Sequence, residues 1–158
     1  MASFTEACNG GACIKQKSNS AKLDSLGDRM MYRLAYRNLG GHESLVASHS
    51  INVGTTTGVR WYEIRSPRTT PVVFQQSTFS PNSTFRWMPS IAMDKLGDLA
   101  VGYSASSTFV NPGVRYAARL ASDPLNTLQT ETVMVSGGGA QDSGAGGRWG
   151  DYSTMTVD

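Results

Sequence analysis

Along Leu99-Ala-Val-Gly-Tyr-Ser104 large side chains alternate with small ones, so a strand here has one bulky face and one nearly flat face. Such a strand suits a sheet that stacks on another sheet. The alternation returns at Leu45-Val-Ala-Ser-His-Ser50, and short apolar runs follow at Gly58-Val-Arg-Trp61, Val72-Val-Phe74, Gly113-Val-Arg-Tyr116 and Val133-Met-Val135. Turn sequences separate them: Asn38-Leu-Gly-Gly41, Lys95-Leu-Gly-Asp98, Asn111-Pro-Gly113 and Ser122-Asp-Pro124. In the first two, glycine supplies the positive φ of a tight connection. The pattern predicts an all-β chain of short antiparallel strands.

The strands also repeat. Arg29-Met-Met-Tyr-Arg-Leu-Ala-Tyr-Arg-Asn-Leu-Gly40 lines up with Arg86-Trp-Met-Pro-Ser-Ile-Ala-Met-Asp-Lys-Leu-Gly97, and the later runs match in the same order: 45–50 with 99–104, 58–61 with 113–116, 72–74 with 133–135. Arg148-Trp-Gly-Asp-Tyr-Ser-Thr-Met-Thr-Val-Asp158 opens a third copy. The copies begin near 29, 86 and 148, a period of 57 to 62 residues, which fits a four-stranded propeller blade with its loops. A β-sandwich also has short alternating strands, but it does not predict a repeat of this length. The expected organisation is an N-terminal segment 1–28 with one strand of a preceding unit at Cys13-Ile-Lys-Gln16, a first blade 29–85, a second blade 86–147, and the first strand of a third at 148–158.

These residues resemble propeller-repeat segments of large secreted bacterial proteins, related in style to the sialidase-like repeat families. The likeness is carried by Arg-Trp-x-x-Ser-Ile-Ala-Met-Asp-x-x-Gly-Asp-Leu-Ala-Val-Gly-Tyr-Ser at 86–104, by Leu23-Asp-Ser-Leu26 and by Tyr32-Arg-Leu-Ala-Tyr-Arg-Asn38. The Ser-x-Asp-x-Gly-x-Thr-Trp box of sialidase repeats is not among them. The resemblance implies a partial propeller of antiparallel blades and a secreted or extracellular bacterial parent, more than it implies a chemistry. Two blades leave open sheet edges. The expected partner is therefore the chain itself, a homodimer or homotrimer closing a ring by head-to-tail contacts.

Charge narrows the partners further. Fourteen basic and 12 acidic residues give a net charge of +2, with no basic run of the kind that tracks nucleic acid. No apolar stretch has the length of a membrane span, and the first residues lack the basic-then-apolar pattern of an export signal. Cys8 and Cys13 bracket Asn9-Gly10-Gly11-Ala12, a loop that permits either a disulfide or two free thiols.

In a propeller the strand that opens each blade lies nearest the axis, which puts Arg29, Arg86 and Arg148 at one mouth of the channel. Gathered guanidiniums would attract carboxylate, sulfate or phosphate; residues repeated in every blade are alternatively framework. Trp87, Trp149 and Tyr152 are candidates to stack on a sugar or another small ligand, with a core role as the alternative for the tryptophans. Asp151 breaks the repeat, and a carboxylate there would ligate Ca²⁺ or act as a general base, or else cap its own turn. His42, Glu43 and His49 form an irregular set that binds metal only if the hairpin gathers them, and Asp94 and Asp158 end equivalent strands. Two functions follow as expectations. One is a ring whose mouth binds a ligand and, with a divalent cation, hydrolyses anionic or activated esters, phosphoesters or glycosides; the other is a non-catalytic module that binds a glycan or protein.

Overall fold

The computed structural model describes residues 2–142 and 147–157. It is all-β, with the strands β1 (Ala12–Gln16), β2 (Asn19–Asp24), β3 (Ala35–Asn38), β4 (Glu43–Val53), β5 (Thr56–Arg65), β6 (Val72–Phe79), β7 (Phe85–Met93), β8 (Leu99–Ser106), β9 (Gly113–Arg119) and β10 (Thr132–Val135). They form two four-stranded antiparallel meanders, β3-β4-β5-β6 and β7-β8-β9-β10, and a separate hairpin, β1-β2. The turns read from the sequence close these meanders. Gly40 and Gly97 sit at φ of +80° and +86°, and Asp94 Oδ1 accepts from the Leu96 and Asp98 amides across the second turn.

The two meanders stack through the faces that the alternation marks. Val46, Val59 and Trp61 of the first sheet meet Ile91, Met93, Leu99, Val101, Tyr103 and Ala117 of the second in one core. The bulky face of β8 is thus the buried one, and its flat face, Ala100, Gly102 and Ser104, turns the other way. The opposite face of the first sheet is closed by the N-terminal segment, where Phe4 lies edge-on to His49 and Glu6 bridges to Ile51.

A second core joins the hairpin to the start of β7: Ile14, Leu23, Leu26 and Met31 pack with Phe85, Trp87 and Met88. The strand at Cys13–Gln16, expected as one strand of a preceding unit, pairs with β2 in a hairpin, and Ser18 takes a positive φ of 55° in the turn between them. Cys8 and Cys13 are joined by a disulfide at the base of this hairpin. Likewise, residues 148–157 make no ladder; they run beside β7, fixed by the Ser153 hydroxyl donating to the Met88 carbonyl at 3.2 Å. Among the described residues no helix is long and apolar enough to cross a membrane.

Candidate functional site

The tail 149–155 crosses the flat face of the second sheet and leaves a cavity of about 550 Å³ beneath it. Gly102, Ser104 and Tyr116 floor it, and Trp149, Tyr152 and Met155 wall it. Gly102 makes room for this approach: a Cβ there would stand 3.0 Å from the Met155 methyl, which would have to give way. Of the residues singled out in the sequence, Trp149 and Tyr152 line this cavity, while Trp87 is fully buried in the second core.

Three of the charged candidates lie next to residues that line the cavity. Arg29 Nη1 donates to the Tyr152 hydroxyl at 3.3 Å, and Arg148 pairs with Asp151 at 2.7 Å. Arg29 also holds Asp28 at 2.7 Å, and the hydrogen bond to Asp28, followed by that to Tyr152, raises the Arg29 pKa above its ordinary value. Of these four only Tyr152 lines the cavity; Arg29 reaches it through the Tyr152 hydroxyl, Arg148 and Asp151 flank the lining residues Trp149 and Gly150, and each guanidinium already faces a carboxylate.

Arg86 does not join them. It is wholly buried, donating to Glu131 through both Nε and Nη2 at 2.8 Å and to Asn82 and Thr84. Glu131 also receives the Tyr103 hydroxyl at 2.9 Å and Arg115 at 2.5 Å, so one carboxylate just before β10 ties down side chains of β7, β8 and β9. Burial pushes the Glu131 carboxyl up, but the hydrogen bond and charge of Arg86, with Tyr103 and Arg115, outweigh it and hold the group down at about 2. Arg86 is framework. Sequence reading missed Glu131 and Arg115; the repeated Gly-Val-Arg of 58–60 and 113–115 was the available signal for the arginine.

The proposed ligands for a cation are dispersed. Glu43 bonds the Tyr36 hydroxyl at 2.6 Å and pairs with Arg68, Asp94 caps its turn, and Asp151 faces Arg148. His49 is buried, stacked on Tyr62 and bonded to its hydroxyl at 3.0 Å. His42 lies 3.9 Å from Glu63, whose carboxylate is occupied by Ser44, Arg65 and Gln75. Among the described residues no three His, Cys, Asp or Glu side chains come together as a metal site; Asp158 lies outside the described residues.

His49 carries a pH dependence. Burial, then the charge of Arg60, lowers its pKa from 6.5 to about 4. The unfolded chain therefore takes up a proton that the folded chain refuses: stability is complete above pH 6.5 and falls as pH drops through 4, by roughly 3 kcal/mol in all. His49→Phe, which keeps an aromatic ring where the matched position carries Tyr103, is expected to flatten the urea-midpoint profile between pH 6.5 and 4.5. Parallel profiles for the two proteins would assign the slope to other groups.

Compared with known protein families, curated proteins and solved structures, this chain finds no match.

Proposed function

We propose that this chain is two consecutive blades of a β-propeller, 29–85 and 86–147, beside the inner edge of a third, and that its function is binding. It joins further blades of its own kind, supplied by a second copy, through the flat face of the second sheet. The assembled ring presents Arg29, Arg148, Asp151 and Tyr152 to a polyhydroxylated or anionic ligand.

One observation carries this reading: the docking face of the first sheet recurs on the second, where only the tail crosses it. Val46, Ser48 and Ser50 correspond by repeat to Ala100, Gly102 and Ser104, and Val59 and Trp61 correspond to Val114 and Tyr116. In the first sheet Val46, Val59 and Trp61 are buried against the second sheet; in the second, no strand among the described residues covers the equivalent face. Stacking therefore has a built continuation. The tail supports the same reading, since it runs beside β7 much as β7 runs beside β3, where Arg37 Nε donates to the Met93 carbonyl at 3.0 Å. The backbone repeats as well: Met88 and Gly150, matched positions after Arg-Trp, both take positive φ, at 49° and 70°. Binding is favoured over hydrolysis because Arg148 already occupies Asp151, the candidate base.

Light scattering on the purified chain should give a discrete dimer or trimer. Tyr116→Glu, which charges the flat face from a position outside the core, should give a folded monomer. A wild-type chain that stays monomeric at about 100 µM, where even a micromolar interface is formed, would remove the assembly from this proposal.

A further inference from the structure

We infer that the crevice between the two four-stranded sheets, at the end bearing the β3–β4 and β7–β8 turns, is a site for a short-chain monocarboxylate held by Arg119 and His42. The crevice measures about 130 Å³ and is separate from the tail cavity.

Arg119 is 2% exposed, and its Nη2 donates to the Asp123 carbonyl at 2.7 Å. Among the described residues its Nε has no hydrogen-bond partner and no carboxylate lies within ion-pair distance of it. A guanidinium taken out of water without a counter-charge is costly, so the arrangement is completed by an anion. His42 lines the same crevice; its side chain is partly exposed, and its Nε2 makes no hydrogen bond among the described residues and stands 3.9 Å from Glu63 Oε1.

Among the described residues Glu63 is the one carboxylate lining the space, and its charge is met by Arg65 at 2.7 Å and by bonds from Ser44 and Gln75. Asp123 acts on Arg119 only at longer range, its own carboxylate being held by the Leu120 amide and Gln129. The excess charge in the crevice is positive. The remaining wall is apolar, with Phe74, Leu96 and Leu125, and the volume is about that of four water molecules, which suits acetate or propionate rather than a larger acid.

Both orphan nitrogens sit where the repeat is broken. Arg119 stands at the position matched by Ile64, and His42 lies in the insertion after the first strand of the first blade.

The test is a titration with sodium acetate and sodium propionate against sodium chloride at matched ionic strength. It is read by the melting temperature and by the Arg119 Nε–H resonance in a ¹⁵N spectrum. A saturable rise of about 2–4 °C at five times the half-saturating concentration, with a matching shift of that resonance, is the expected result. Arg119→Ile, the residue that the repeat uses at this position, should fold and lose both responses. An equal rise with chloride, an unmoved Nε–H, or a response surviving in Arg119→Ile would overturn the proposal and leave ordered water as the occupant.

Discussion

Replacing Glu131 with glutamine is expected to lower the free energy of unfolding by about 3–5 kcal/mol, because it strands a buried guanidinium without its counter-charge. Arg86 is wholly buried and directs two nitrogens at this carboxylate, and Tyr103 and Arg115 converge on it from the neighbouring strands. Glutamine keeps the shape and loses the charge, so the loss is electrostatic rather than steric. The same group makes wild-type stability depend on acid. Glu131 is held at about 2 in the fold against an ordinary 4.5. Its contribution is therefore complete above pH 4.5 and disappears as pH falls through 2, roughly 3 kcal/mol in all. Urea unfolding of wild type and Glu131→Gln at pH 7, 5 and 3 should show the two converging towards the acid end. A cost under about 1 kcal/mol at pH 7 would mean that Asn82 and Thr84 suffice to hold Arg86.

The division between what the sequence discloses and what it withholds follows the range of the interactions. The alternation in Leu99-Ala-Val-Gly-Tyr-Ser104 and the glycines at 40 and 97 are local signals, and they place strands and turns directly. His49 was readable as an aromatic replacement because its matched residue is Tyr103, and it does stack, on Tyr62. The Glu131 cluster was not readable: its partners are 16 to 45 residues away, and nothing in Thr130-Glu-Thr132 distinguishes this glutamate from a solvated one. Nor did repeat position separate the three arginines. Arg86 has a carboxylate delivered by the loop before β10, whereas Arg29 and Arg148 pair with Asp28 and Asp151 at the surface. The N-terminal hairpin was missed for a related reason. The turn places Ser18 at a positive φ, and serine carries no strong signal for that conformation.

The two tryptophans of the Arg-Trp pairs should respond very differently to truncation, which separates a framework role from a binding one. Trp87→Ala is expected to cost about 3–5 kcal/mol, since the side chain is fully buried among Ile14, Leu23 and Phe85 and its removal leaves a large cavity. Trp149 only packs against the margin of that cluster and lines the tail cavity, so Trp149→Ala should cost no more than about 1–2 kcal/mol. Among the described residues the Trp87 indole N–H has no partner, so Trp87→Phe forfeits packing alone and should cost roughly half as much as the alanine. Because Ile14 and Leu23 belong to the β1-β2 hairpin, the loss should be read first in its amides, whose hydrogen exchange should accelerate in Trp87→Ala before that of β4 and β5. A hairpin still protected in Trp87→Ala would show that the disulfide and the Ser25 hydrogen bonds to Ala7 and Gly11 hold it without the core. An equal cost at Trp149 would instead make the tail an integral part of the fold, and the cavity beneath it a packed seam closed to ligand.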